Sequence, residues 1–545
     1  MVSLRIPLLF LFITACSAAD QLELPIADGP FKPSWQSLQQ YQTPEWFKNA
    51  KFGIWAHWGP QCQPEDGDWY AQRMYLPGHR NYQNHLNRYG HPSEVGFKDI
   101  IPLWKAENFN PDKLLALYKK AGAQYFVAMA NHHDNFDNWN SKYQSWNSVA
   151  LGPKQDLIGK WAEATRKVGL RFGVSIHMAR AWDWYEVAQL SDDTGPKAGV
   201  PYDGNVTKAD GKGKWWDGLD PQELYAQQHK PNSNPRNTKS PDNKPGDRPS
   251  LAYAQKYYNR ARDVVDSYQP DLVYFDEYVL PMNKYDQRLG LSLLAHIYNG
   301  NMARHQGRNE AVVNLKSLNE MQRKCVVMDI ERGVSPKVEP LPWQTDTCIG
   351  DWHYNRERFE RHGYRKTIQV VQMLVDIVSK NGNLLLSVPV RGDGSIDEDE
   401  VKILEGVAAW MQINGEAIYD THAWTICGEG PALQEAVEAG EFGAAKDVRS
   451  KPYTAEDFRF TLKGGDLYAI ALAWPTSGKV VVKTLATNAK GIVGEVRQVS
   501  LLGHAAPLSF TRTEAGLEIT LPAKKPGDNA FAFKITGLDL TASRP

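Results

Sequence analysis

Four stretches of this 545-residue chain end an apolar run with side chains able to do chemistry. Phe52 to Ala56 leads into His57 and Trp58, and Ala123 to Asn131 leads into His132, His133, Asp134 and Asn135. Tyr274 and Phe275 lead into Asp276 and Glu277, and Met328 to Ile330 brings Asp329 up to Glu331 and Arg332. Taken singly, each residue has a plainer use: a hydrogen-bonded histidine, a helix cap or half of an ion pair. Three histidines and two acidic clusters brought to one rim ask for more. Two carboxyl groups among neutral hydrogen-bonders and aromatic rings suit cleavage of a glycosidic bond. The adjacent His132 and His133 raise the question of zinc, but zinc needs three or four ligands and neighbouring side chains on a strand diverge. No metal and no cofactor is expected.

The elements that must carry these residues read as alternating strands and helices. The segments Lys51–His57, Ala123–Asn131, Leu170–His177, Asp271–Asp276, Ala311–Leu315, Cys325–Ile330 and Asn383–Val388 lack strict two-residue alternation, as strands covered on both faces do. Between them lie amphipathic helices. Asn110 and Pro111 open one that Gly122 closes, Asp156 caps another that ends at Gly169, and Tyr364–Lys380 forms a third before Asn381-Gly382. This rhythm over residues 28–424 predicts an α/β fold, a (β/α)8-like TIM barrel, whose reactive residues gather at the C-terminal ends of its strands.

Two regions depart from that rhythm. Residues 190–250 are crowded with Gly, Pro, Asn, Asp and Lys, a loop insertion of the length of a lid or flexible flap, with Trp215-Trp216 either beside a substrate or anchoring the loop. Residues 425–545 alternate apolar and polar positions, as in Phe458–Leu462, Leu517–Leu521 and Phe531–Ile535, which predicts a C-terminal antiparallel β-sandwich.

Residues 1–19 read as a signal peptide: one basic residue, the apolar run Leu8–Ile13, then small residues. Ile13-Thr14-Ala15-Cys16 resembles a bacterial lipobox ending at Cys16. The chain is thus expected to be exported, as a periplasmic or cell-surface lipoprotein or else secreted. Lys plus Arg total 62 against 63 Asp plus Glu, which leaves no basic footprint for nucleic acid. Membrane contact is expected only through an N-terminal lipid. The later cysteines, Cys62, Cys325, Cys348 and Cys427, form no zinc-spaced pair, and a disulfide among them is left open.

From about Trp35 onward the chain resembles the α-L-fucosidases of family 29 of the glycoside hydrolases. The resemblance rests on Lys51–Gly59, Trp69-Tyr70 with Met74, His132-His133-Asp134 with Trp139, Gly152–Asp156 and Asp271–Asp276. It continues through Pro342-Trp343, Trp352–Tyr354, Leu374–Asn383 and Asn414–Tyr419, all in family order. It implies a retaining exo-α-L-fucosidase acting on fucosylated oligosaccharides or polysaccharides, with Asp276 as nucleophile. It places His57, His132 and His133 on sugar hydroxyls, Trp69 and Tyr274 in the same pocket, and Trp352 under the sugar methyl. Lys316 stands where some relatives have a substrate-binding arginine. Glu331 resembles the acid/base segment of one subgroup, with Glu339 as the alternative. Glu277 and Asn135 depart from positions where many members have glycine. Two other readings compete: another retaining barrel glycosidase, such as one acting on galactosides, and a non-catalytic carbohydrate-binding surface protein.

Overall fold

The computed structural model describes residues 21–434, 445–446 and 451–540; the expected signal peptide and lipobox cysteine, Cys16, lie outside the described residues. Eight parallel strands close into a barrel. In order around it stand β1 (Phe52–Ala56), β2 (Tyr125–Asn131), β3 (Arg171–Ile176), β4 (Leu272–Tyr278), β5 (Val312–Lys316), β6 (Val327–Glu331), β8 (Trp343–Cys348) and β9 (Gly382–Ser387). β9 closes on β1 with Ile54 opposite Leu386. Most of the strands are apolar on both faces because a layer of helices covers them outside and side chains fill the barrel inside. Gly53 shows how tight that filling is: a Cβ there would sit 2.3 Å from the ring of Tyr125 on the next strand.

The helices begin where capping chemistry puts them. The side chain of Asn110 accepts from Lys113 N at the start of helix Pro111–Lys120, and that of Asp156 accepts from Gly159 N at the start of Leu157–Lys167. The third expected helix runs Thr367–Ser379, tighter than its apolar pattern suggested. Residues ahead of 28 also belong to the barrel, since Ala27 N donates to His296 and Tyr258 OH donates to Pro25 O.

The eighth strand, β8, was not anticipated. Its sequence, Trp-Gln-Thr-Asp-Thr-Cys, is too polar to read as a buried run, yet every residue in it is buried. Its inward polar side chains find partners inside the barrel, where Gln344 bonds Asp329 and Asp346 receives Tyr274, while Thr345 donates to Gly333 O and Thr347 accepts from Arg365 on the other face.

The insertion is pinned down rather than hung free. Asp203 within it is buried and accepts from Tyr75 OH at 2.6 Å, Tyr225 OH at 2.6 Å and Lys98 Nζ at 2.9 Å. Trp216 is buried with Lys98 and Lys214 near its ring, while Trp215 donates to Asp99 and meets Trp146 edge-on. The tryptophan pair anchors the insertion.

The second unit begins at His422, three residues before the expected boundary. One sheet orders β10 (His422–Glu429), β12 (Phe458–Lys463), β13 (Asp466–Ala471), β18 (Phe531–Asp539) and β15 (Val493–Leu501). The other orders β14 (Lys479–Val482), β17 (Gly516–Thr520) and β16 (Phe510–Thr513). All are antiparallel, and Phe458, Phe460, Val482, Leu517, Ile519 and Phe533 from both sheets share one apolar core, a two-sheet sandwich. A short antiparallel pair joins β7 (Gly333–Val334), just after Glu331, to β11 (Ala445–Lys446). The four described cysteines form no disulfide.

Candidate active site

Parallel strands leave their C-terminal ends on one side of the barrel, and there the expected residues meet. Lys316, the last residue of β5, is the hub. Its ammonium donates to Asp276 Oδ1 at 2.6 Å and to Glu331 Oε2, tying the end of β4 to the end of β6. It also lies 5.5 Å over the ring of Tyr274.

The second oxygen of Asp276 faces histidines, and the bonding pattern assigns their tautomers. Trp55 Nε1, which can only donate, gives its proton to Ser175 Oγ at 3.2 Å. Asp276, held ionised, can only accept, so His177 carries its proton on Nδ1 and donates it to Asp276 Oδ2 at 3.1 Å, and its Nε2 accepts from the Ser175 hydroxyl at 2.9 Å. His133 spends its Nδ1 proton on the carbonyl of His177 at 2.5 Å, which leaves a lone pair on Nε2, 3.4 Å from Asp276 Oδ2. His132 is the reverse. Gln61 Nε2 donates to its Nδ1 at 2.9 Å, with Gln61 Oε1 held by Ala71 N, so Nε2 of His132 is the donor. His57 Nδ1 meets Ser387 Oγ at 3.1 Å. Burial drives His57 and His132 well below the usual imidazole range, lowers His133, and takes His177 to about 4. All four rings are neutral near pH 7, and the neighbouring acceptor and donor of His133 and His132 suit sugar hydroxyls, which give and take a proton in turn.

The two carboxyls are pushed in opposite directions. Burial opposes ionisation of Asp276, but Lys316 foremost, and then the proton given by His177, override it and hold the carboxyl well below the ordinary range. Glu331 is raised to about 7, first by burial and then, against the pull of Lys316, by the charges of Asp346 and Asp276. A carboxylate beside a carboxyl that keeps its proton up to about pH 7 is what a nucleophile and an acid require.

Aromatic rings wall the site. Trp352 lies 4.9 Å from the His57 ring and 5.8 Å from Trp55, with the Arg332 guanidinium 6.0 Å over its own ring. Trp69, in a left-handed conformation at φ 60°, comes to 6.4 Å from His133. The Tyr274 ring packs 4.7 Å from Trp55 inside the barrel, its hydroxyl on Asp346.

Glu339 does not join them. It is buried where β8 and β9 begin, the opposite end of the barrel, and accepts from Arg323 and Ser335 at 2.7 Å each. Those bonds outweigh burial and keep it ionised below the ordinary glutamate range, so it is half of a structural ion pair. Glu277 follows Asp276 on the strand and points the other way, toward Arg180 at 3.9 Å, with burial raising it to about 8. Asn135 occupies a left-handed position, φ 64°, which glycine or asparagine tolerates best. His177 joins the candidate site through Asp276, and the sequence reading passed over it. It ends a strand just as His57 does, and that was its signal. Among the described residues no group of His, Cys, Asp and Glu is arranged to hold a metal ion.

Comparison with known proteins agrees with this geometry. The α-L-fucosidase family model matches residues 18–416, and the model of the α-L-fucosidase C-terminal domain matches residues 451–536. Human tissue α-L-fucosidase is 26 % identical over 98 % of this chain and 97 % of its own. Thermotoga maritima α-fucosidase, solved with a mechanism-based inhibitor, superposes with a TM-score of 0.67 at 26 % identity, covering 93 % of this chain and 99 % of that one. The same enzyme solved with fucose gives a TM-score of 0.65 at 26 % identity, covering 93 % and 100 %. Two matching domains in order, full-length relatives and a shared barrel leave one assignment: this chain belongs to the α-L-fucosidases of family 29 of the glycoside hydrolases and is an enzyme of that activity.

Proposed function

We propose that the enzyme is an exo-acting, retaining α-L-fucosidase in which Asp276 is the nucleophile and Glu331 the acid/base. The observation that carries this reading is the shared lysine. Two carboxyl oxygens hydrogen-bonded to one ammonium are at most about 6 Å apart, twice the length of such a bond. Retaining glycosidases place their carboxyls about 5–5.5 Å apart, whereas inverting ones need about 6.5–9.5 Å to admit a water.

The chemistry runs in two displacements. Ionised Asp276 attacks the anomeric carbon as the glycosidic bond breaks, and Glu331 gives its proton to the departing oxygen. The resulting fucosyl ester on Asp276 is then attacked by water, whose proton returns to Glu331 while the Asp276 carboxylate leaves. His57, His132 and His133 hold sugar hydroxyls, and Trp352 lies against the sugar methyl. A relative solved with fucose supports a terminal fucosyl residue as the group bound.

Azide tests the two roles separately. Asp276→Gly abolishes turnover, and azide entering the vacated space yields a fucosyl azide of inverted configuration. Glu331→Ala still forms the ester from an aryl fucoside with a good leaving group, and azide, which needs no base, releases it with retained configuration. Near-normal turnover of unactivated oligosaccharides by Glu331→Ala would remove Glu331 from its role.

The signal-like N-terminus supports export, with Cys16 as the lipid-bearing residue. Cys16→Ser is expected to move the protein from the membrane fraction to the soluble one. A parent chain already soluble would leave export without an anchor.

A further inference from the structure

The barrel interior holds a second pair of carboxyls that the two displacements leave unused. Asp329 on β6 and Asp346 on β8 are 2 % and 1 % exposed and share the inner face of the barrel on paired strands, Asp346 lying two residues beyond Gln344, the partner of Asp329. Each has one oxygen already engaged. Asp329 Oδ1 accepts from Gln344 Nε2 at 2.8 Å, and Gln344 Oε1 is itself held by Tyr125 OH at 3.0 Å. Asp346 Oδ2 accepts from Tyr274 OH at 3.0 Å. The other two oxygens, Asp329 Oδ2 and Asp346 Oδ1, are buried and reached by no donor among the described residues. Two carboxylates buried against each other cannot both stay ionised. The pair therefore holds one proton and one negative charge.

That charge sits next to the working groups. Asp346 is the strand partner of Glu331 across the β6–β8 pairing, as Gln344 is of Asp329. The ionisable groups around the pair and Glu331 are Tyr125 from β2, Tyr274 and Asp276 from β4, and Lys316 from β5, with His57 and His177 beyond Asp276. Lys316 is the one cation among them, and it already serves Asp276 and Glu331. On the reading of Glu331 as the acid, we propose that Asp329 and Asp346 are positioning residues, a one-proton carboxyl pair whose single negative charge keeps the proton on Glu331 until the leaving group takes it. Burial raises both members, Asp329 to about 6 and Asp346 well above the usual range, in keeping with a proton retained at neutral pH.

The pH profile of kcat/KM on an aryl fucoside tests this with the full chain. Activity should fall as pH rises through about 7, where Glu331 loses its proton. Asp329→Asn or Asp346→Asn alone leaves one carboxylate facing one amide donor, which reproduces the one-proton pair, so the basic limb should stay within about 0.3 pH unit. The double variant, Asp329→Asn with Asp346→Asn, removes the charge. Its limb should move to lower pH by about one unit, the scale of a charge roughly 10 Å away at an effective dielectric of ~20. A limb unmoved in the double variant, or moved as far in either single one, overturns the proposal. A limb that persists in Glu331→Ala overturns the choice of acid and this proposal with it; one that vanishes there yet ignores the double variant overturns this proposal alone. Should the double variant fail to fold, the infrared bands of protonated carboxyls at neutral pH decide, measured in Glu331→Gln. Either single variant should show one carboxylic acid fewer, and an unchanged count overturns the shared proton.

Discussion

At the scale of single residues, the site divides protons by hydrogen-bond direction. His177 and His133 both approach Asp276 Oδ2, but only His177 brings a proton, because Ser175 supplies its Nε2 while His133 has given its Nδ1 proton to a carbonyl. Phenylalanine at 177 keeps the ring volume and removes that donor. We expect His177→Phe to lower kcat/KM by about 10–100-fold, the scale of one hydrogen bond to a charged group, mostly in kcat because Asp276 loses its orientation. Glu339→Gln supplies the contrast. It breaks a pair with Arg323 at the opposite end of the barrel, so it should lower the melting temperature while kcat stays within about twofold. Steady-state kinetics and thermal melts on the two variants check both. Loss of turnover in Glu339→Gln without loss of stability would reopen the choice of acid.

At the scale of elements, seven of the eight barrel strands could be read from sequence because each is a short run of mostly apolar residues bounded by turn or polar residues. β8 could not, because a barrel interior that carries a polar network needs strands whose inward residues are polar, and Gln344 and Asp346 erase the apolar signature. Asp276 and Glu331 were legible as strand ends, and Lys316 through the resemblance. Their mutual contact was not, since it depends on how the closed barrel turns β4, β5 and β6 toward one point. The insertion misled for a related reason. Its composition is that of a flexible loop, while its order comes from Asp203, Trp216 and one distant residue, Asn135. Asn135 Nδ2 donates to Leu224 O at 2.9 Å, and its Oδ1 accepts from Arg260 at 2.5 Å, so it ties the insertion to the loop carrying His132 and His133. Asn135→Gly should keep the backbone at φ 64° and lose only those bonds, whereas Asn135→Ala adds the cost of a left-handed alanine, about 1–2 kcal/mol. Thermal unfolding should rank parent above Gly above Ala. An alanine variant as stable as the glycine one would show that the backbone there relaxes.

At the scale of the whole molecule, the sandwich is fastened to the barrel by buried charge. Asp376, on helix Thr367–Ser379 and 5 % exposed, accepts from Lys380 Nζ at 2.6 Å and from Arg459 Nε on β12 at 2.5 Å. Trp410 Nε1 to Ala530 O and Thr461 Oγ1 to Ala417 O, each 2.8 Å, bridge the same junction. Burial alone would raise Asp376, but the two cations outweigh it and bring the carboxyl down to about 2. A carboxyl lowered on folding contributes stability that is present above its unfolded value near 4 and is lost as pH falls from there toward 2. A drop of nearly two units corresponds to about 2 kcal/mol. Asp376→Asn should cost more at neutral pH, about 3–5 kcal/mol, because it leaves Lys380 and Arg459 buried without their counter-charge. The gap between parent and variant should then narrow as pH falls from about 5 toward 2, because the parent loses the same charge by protonation. Calorimetric melts across that range measure the gap, and the deficit should appear first as loosening of residues 451–540, read by limited proteolysis. A gap that stays constant with pH would mean that Asp376 acts through its shape and hydrogen bonds rather than its charge.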